Sequence, residues 1–149
     1  MPCYALATLL LIQTLQRDQP SVRQTWLADD SAGAGRLVEL RKWWDKLCEH
    51  GEKYGYFTNS SKTILLVQDD LLTAAKKLFS GTGVQIAIKG VRYLGSAVGE
   101  QSFREHYLSD KVDKWLDELR VLTAFAQTEP HAAYTTLHYG LRSKYTFLV

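Results

Sequence analysis

Arg23-Gln24-Thr25-Trp26-Leu27-Ala28-Asp29-Asp30-Ser31-Ala32-Gly33-Ala34-Gly35 is the stretch on which the fold turns. Its first half predicts a strand over residues 22–28, and the paired aspartates mark a tight reversal at its end. The small residues at 32–35 suit a segment that approaches other backbone closely. Before this stretch, residues 3–12 are an apolar run that predicts a helix to about Gln16. That helix is apolar nearly all round, so it is expected to lie sandwiched between other elements.

Downstream, Leu37, Leu40, Trp44, Leu47 and Cys48 recur at helical spacing and predict a helix over residues 36–50. Gly51 and the Tyr54-Gly55-Tyr56 segment close it. Residues 63–67 read as a short strand, and Asp69 or Asp70 is expected to cap a helix ending near Gly81. Strands over 84–88 and 91–98 are expected to pair through Lys89-Gly90 as a hairpin. After Gly99 the pattern changes. Ser102-Phe103-Arg104-Glu105 has the form of a capping box, and Leu108, Val112, Trp115, Leu119, Leu122 and Ala126 keep the spacing of one long helix. Pro130 opens another helix that runs toward Gly140. The expected class is α+β, with an α+β lobe over residues 1–98 and a helical lobe over residues 99–149.

Composition narrows the function classes only slightly. The 149 residues are 46% hydrophobic and 11% aromatic, which suits a packed core and excludes a disordered chain. A net charge of +2 does not mark a dedicated nucleic-acid clamp. Residues 36–92 carry ten basic against six acidic side chains, whereas residues 93–129 carry four against seven. A lobe holding a duplex with its whole surface would lean the other way, so any contact there must use one selected face. Cys3 and Cys48 share no motif spacing and read as reduced thiols in an intracellular setting. The first apolar run lacks a basic leader and is too short to span a bilayer, so no membrane partner is expected. His50, His106, His131 and His138 show no paired ligand spacing, and Gly81-Thr82-Gly83 lacks the lysine of a phosphate loop.

Chemistry concentrates at Asp29-Asp30. Neighbouring carboxylates repel one another unless a cation is shared. Mg²⁺ takes oxygen ligands, commonly one or two carboxylates together with substrate phosphates. The plain alternative is a solvated acidic turn, because turns favour Asp in any case.

Context argues for the first. Trp26-Leu27-Ala28-Asp29-Asp30 resembles the aromatic/aliphatic-x-Asp-Asp motif of reverse transcriptases. Gly55-Tyr56-Phe57-Thr58-Asn59-Ser60-Ser61-Lys62-Thr63 resembles the Gly…Asn-x-x-Lys-Thr segment that follows it in that family. Tyr93-Leu94-Gly95-Ser96 is similar to the family's aromatic-Leu-Gly hairpin, and Tyr4-Ala5-Leu6-Ala7 to the helix after its Gln-Gly-x-Pro motif. The pieces fall in the family's order over residues 4–98, with the helical remainder where a thumb would stand. The texture is similar to the retrotransposon branch.

The resemblance implies a partial polymerase palm, an antiparallel sheet with packed helices, followed by a thumb-like lobe. It implies an RNA-directed DNA polymerase, a nucleotidyltransferase whose partners are a primer–template and a dNTP and whose cofactor is Mg²⁺. Asp29 matches the main metal ligand, Asp30 the second, and Lys62 the general acid toward departing pyrophosphate. Tyr93, Leu94 and Gly95 match the grip on the primer end. Leu27 departs from the tyrosine of many members. Met1-Pro2-Cys3 stands where Gln-Gly-x-Pro would be read, and the strand that supplies the family's other catalytic aspartate is missing, so the site is expected not to hold two metal ions in the usual way. A non-enzymatic remnant that binds nucleic acid and an unrelated Mg²⁺-dependent phosphodiesterase remain open as alternatives. Purified 1–149 is expected to show no primer extension; template-dependent synthesis abolished by Asp29→Ala would overturn that expectation.

Overall fold

The computed structural model describes residues 2–146, with side chains for residues 6–144, so the readings of Cys3 and of Tyr4-Ala5 lie outside the described side chains. The fold is α+β, and it divides into two units between Val91 and Arg92. The sequence reading put that boundary after residue 98.

The first unit opens with α1 (Pro2–Asp18), followed by β1 (Arg23–Leu27), β2 (Asp30–Ala34) and α2 (Leu37–Gly51). A 3₁₀ turn at Glu52–Tyr54 leads on to β3 (Ile64–Leu66), a second 3₁₀ turn at Asp69–Leu71, α3 (Leu72–Leu78) and β4 (Gln85–Ala87). Its core gathers Leu11, Leu15, Val22, Trp43, Trp44, Leu47 and Phe79. Thr8, Leu11 and Leu15 form the buried stripe of α1 at three-four spacing, while Leu6, Leu9 and Leu10 are exposed. The helix is therefore one-sided within its unit, not sandwiched.

β1 and β2 pair antiparallel from Arg23↔Ala34 to Leu27↔Asp30. The small residues of β2 have a packing reason. A Cβ on Gly33 would lie 3.3 Å from the Trp43 ring and from Val22, so only glycine lets the ladder rest on α2 without a shift. At the other end of α2, a Cβ on Gly51 would come within 2.5 Å of the Tyr56 carbonyl oxygen, while the Tyr56 amide donates to the Gly51 carbonyl at 2.9 Å. Gly51 thus ends the helix by letting the chain fold back tightly on it.

One polar side chain joins these layers. The Gln24 amide nitrogen donates to the Ile12 carbonyl and to Gln16 Oε1, both at 3.1 Å. Its oxygen accepts the indole N–H of Trp26 at 3.1 Å and that of Trp43 at 3.2 Å. A half-buried carboxamide in β1 therefore satisfies two tryptophans and reaches α1.

Other expectations are corrected. β4 pairs with β3 in parallel, Ile64↔Gln85 to Leu66↔Ala87, instead of forming a hairpin with the strand after it. The reason is that α3 acts as a crossover, returning the chain in the same direction. Among the described residues the sheets are three separate two-stranded ladders and not one antiparallel sheet. Leu71 holds the N-cap position of α3, and Asp69 and Asp70 belong to the 3₁₀ turn before it, whose own N-cap, Gln68, makes no side-chain bond, so neither aspartate caps α3.

In the second unit, β5 (Gly90–Tyr93), which starts just before the boundary, and β6 (Ser96–Gly99) form a hairpin. α4 (Gln101–Ala126) packs on β6 and on α5 (Pro130–Thr135). A π-helical turn at Thr136–Leu141 carries α5 into α6 (Arg142–Thr146). Glu100 takes the N-cap position of α4 with no side-chain bond, so Ser102 lies two residues too far inside for the expected capping box. On α4, Trp115, Leu119, Leu122 and Ala126 are half-buried, whereas Leu108 and Val112 are exposed.

Gln24→Leu keeps the volume but strands two indole donors and cuts the tie from β1 to α1, and should cost about 2–4 kcal/mol. Urea unfolding followed by tryptophan fluorescence measures it. A loss under about 0.5 kcal/mol, the size of a neutral surface change, would remove Gln24 from this role.

Candidate functional site

Ala28 and Asp29 are the two turn residues between the closing pair Leu27↔Asp30. Ala28 has φ 52, and Leu94 has φ 48. Among the described residues these are the only non-glycine positions with positive φ. Each costs about 1–2 kcal/mol relative to a relaxed backbone, because Cβ crowds the following carbonyl. Both lie at hairpin tips that the motif reading singles out.

Tyr56 holds the first tip in place. Its hydroxyl lies 2.8 Å from Ser31 Oγ and donates to the Asp29 carbonyl at 3.2 Å. Its ring meets Trp26 edge-on, with centroids 5.2 Å apart. The tip therefore connects through Tyr56 and Trp26 to the Gln24 node. Asp29 and Asp30 are both exposed at this braced turn. Two adjacent exposed carboxylates fit a Mg²⁺ ion that keeps most of its water or takes phosphate oxygens. Among the described residues no group of three His, Cys, Asp or Glu side chains gathers, so these residues do not furnish a closed cage or a two-ion site.

Lys62 stands on a loop ordered by Asn59. The Asn59 carbonyl accepts from the Lys62 amide at 3.1 Å, the Thr63 amide at 3.0 Å and Thr63 Oγ1 at 2.8 Å. Asn59 Oδ1 accepts from Ser61 Oγ at 2.7 Å, and Gln85 Nε2 donates to the Ser61 carbonyl at 2.6 Å. The Asn-x-x-Lys-Thr spacing thus makes a self-bonded turn that feeds β3 and leaves the Lys62 side chain exposed. Among the described residues no ion pair joins Lys62 to Asp29 or Asp30.

Tyr93, Leu94 and Gly95 belong to the second unit. Leu94 and Gly95, at φ 48 and 80, make the two-residue turn with left-handed backbone that suits the twist of a hairpin. The Gly95 carbonyl accepts from Tyr107 Oη at 2.7 Å and Lys111 Nζ at 2.8 Å, fixing the tip to α4. Arg92 lies over the Tyr107 ring at 5.1 Å and Lys111 at 4.9 Å. Hydrogen bonding from Lys111 holds the Tyr107 phenol below its ordinary pKa, against desolvation and with a lesser contribution from Arg92. The Tyr93 hydroxyl is buried without a hydrogen-bond partner, so the exposed part of the motif is Leu94-Gly95.

Sequence reasoning missed Gln24, Tyr56 and Tyr107 as positioning residues. In the sequence Tyr56 belongs to the segment that closes α2 and to the Gly…Asn-x-x-Lys-Thr resemblance, and neither marks its hydroxyl as a brace. Cys48 is free and half-buried, with Sγ 3.3 Å from Thr58 Oγ1. His50 and His106 each face one aspartate, at 3.9 and 3.6 Å, and neither belongs to a ligand cluster. No family model, no curated protein and no solved structure matches the chain.

Two substitutions at the tip should move stability in opposite directions. Ala28→Gly relieves the positive φ and should stabilise by about 0.5–1 kcal/mol, the usual gain at such a position after glycine's entropy is subtracted. Tyr56→Phe removes the hydroxyl bonds and should cost about 1 kcal/mol. Denaturant titration reads both, and shifts of the same sign would contradict the strained, braced turn.

Proposed function

We propose that the chain is part of a reverse-transcriptase-type RNA-directed DNA polymerase of a retroelement, comprising a portion of the palm with its metal-binding hairpin and a thumb-like helical unit. One observation carries the reading. The two strained non-glycine residues, Ala28 and Leu94, sit at the tips of the two hairpins that the motif order assigns to metal binding and primer grip. Backbone strain persists where a surrounding structure over-determines it, and such positions concentrate at functional sites. A two-residue hairpin turn takes a positive φ at its first position in any case; what is particular here is that alanine, not glycine or asparagine, occupies it under a tyrosine brace.

In this reading Asp29 and Asp30 hold Mg²⁺, which when bound neutralises charge on the phosphate oxygens of the incoming nucleotide. The primer 3′-hydroxyl gives up its proton to water as its oxygen bonds to the α-phosphorus and the bond to pyrophosphate breaks. Lys62, on its rigid loop, donates a proton to the departing oxygen as charge grows there. Leu94 and Gly95 meet the primer end, and Tyr107 keeps their turn seated on α4. A second reading, a non-enzymatic module that binds nucleic acid, is favoured by the three separate ladders where a palm would present one antiparallel sheet.

Calorimetric titration with Mg²⁺ in the presence of a primer–template separates the readings. The polymerase reading predicts a binding isotherm that Asp29→Ala abolishes and Asp30→Ala weakens, with no strand cleavage. An isotherm unchanged by Asp29→Ala leaves the non-enzymatic module. Asp29-dependent hydrolysis of the nucleic acid would instead make the hairpin that of a phosphodiesterase.

A further inference from the structure

We propose that the chain associates with a second copy of itself through α4, the two helices lying antiparallel across a two-fold axis at Val112. The seam lies wholly in the second unit. It uses neither the aspartates, Lys62 nor the Leu94-Gly95 turn, so it stands apart from the polymerase reading.

A helix of 26 residues in a packed unit ordinarily sinks one face, yet no side chain of α4 is buried. Its half-buried row, Phe103, Tyr107, Lys111, Trp115 and Leu119, recurs every fourth residue, and Tyr107 and Lys111 bond the Gly95 carbonyl. That row is taken up by the hairpin and α5. One residue further on in successive turns runs a second row, Leu108, Val112 and Leu116, which is 44%, 38% and 44% exposed. A step of one residue turns about 100° round a helix, so this row stands to one side of the first. Single exposed apolar residues need no explanation, but an unbroken row of three does.

The polar residues at its ends say what covers it. Along one strip the order is Gln101, Glu105, Leu108, Val112, Leu116, Leu119 and Thr123. A second α4 laid antiparallel about Val112 sets Val112 on Val112, Leu108 on Leu116, Glu105 beside Leu119 and Arg120, and Gln101 on Thr123. Apolar residues meet apolar ones at the centre and polar residues meet at the ends, the self-complementarity that a two-fold contact demands. Glu105 is exposed, accepts from Gln101 Nε2 at 2.7 Å and, among the described residues, has no ion pair. Arg120, also exposed, pairs with Asp117 at 2.8 Å. A guanidinium has further N–H donors, enough to meet Glu105 of the second copy as well. The two-fold axis makes that contact twice. A parallel pair in register would instead set Glu105 against Glu105, so charge selects the antiparallel arrangement. Asp110, Asp113 and Asp117 fall beside the seam or behind it. The strip is about 33 Å long. One helix pair of that length belongs at the small end of specific interfaces, so a dissociation constant on the order of 10 μM is expected.

The test is sedimentation velocity on the full chain in EDTA, over roughly 1 to 300 μM so that the expected constant is bracketed. The mass should rise from one chain to two. Val112→Glu sets two carboxylates face to face across the axis and should raise the dissociation constant about tenfold or more. Val121→Glu, at an apolar residue 71% exposed on the opposite side of α4, should leave it within about twofold. Glu105→Arg and Arg120→Glu should each weaken the dimer about threefold or more, and the double variant should regain most of the loss. That rescue requires the antiparallel register, and it decides the matter even if Val112→Glu perturbs folding by circular dichroism. A chain that stays monomeric throughout, as it would if a different protein covers the row, overturns the proposal. So does a dimer that is indifferent to Val112→Glu, equally weakened by Val121→Glu, or not rescued by the double charge exchange.

Discussion

Everything about the Asp29-Asp30 tip depends on a short relay of contacts that begins at the Gln24 carboxamide. A hairpin tip with a non-glycine residue at φ 52 does not hold that shape unaided. Gln24 ties β1 to α1 through the Ile12 carbonyl and takes the indole protons of Trp26 and Trp43. Trp26 then meets Tyr56 edge-on, and Tyr56 bonds to Ser31 and to the Asp29 carbonyl. Gly51 admits the Tyr56 backbone at a distance that any other residue would block. The tip is thus set by residues from α1, both strands of the ladder and the loop after α2. The backbone that carries the two exposed carboxylates is thereby fixed, and in the proposed reading it presents them to Mg²⁺.

The second hairpin repeats the arrangement by other means. Leu94 occupies a position where a turn of this type calls for Asn or Gly, and the strain is again offset by a tyrosine hydroxyl on a tip carbonyl, here Tyr107 on Gly95. Lys111 adds a second bond to the same oxygen. Arg92 and Lys111 both lie over the Tyr107 ring, so two cations and one phenol steady this tip together.

Long apolar periodicities were legible in the sequence. The stripe of Leu40, Trp44 and Leu47 announced α2, the run before Gln16 announced α1, and the aspartates with their small-residue follow-on announced the reversal between β1 and β2. What failed was whatever depended on partners. The β3–β4 pairing is parallel because α3 intervenes, and nothing in residues 84–88 alone distinguishes a hairpin arm from a crossover strand. Ser102 and the Asp69-Asp70 pair have cap chemistry but miss the N-cap position, Ser102 by lying inside α4 and the aspartates by lying before Leu71, and so small an offset removes the bond. Gln24 was invisible because a single polar residue in a strand reads as solvent-facing until two tryptophans are seen to point at it. The aspartates, Lys62 and the Tyr93-Leu94-Gly95 turn were legible as motif pieces; the backbone strain that singles out two of the three was not.

The central claim, that the braced tip is a cation site, is most directly tested by paramagnetic relaxation from Mn²⁺, a close mimic of Mg²⁺ among oxygen ligands. In an ¹⁵N-labelled chain at substoichiometric Mn²⁺, the amides of Ala28, Asp29, Asp30 and Ser31 should broaden first, and Asp29→Ala should abolish that selectivity. Broadening that begins at Asp69-Asp70 or spreads evenly over the exposed carboxylates would contradict it and leave Asp29-Asp30 an ordinary acidic turn.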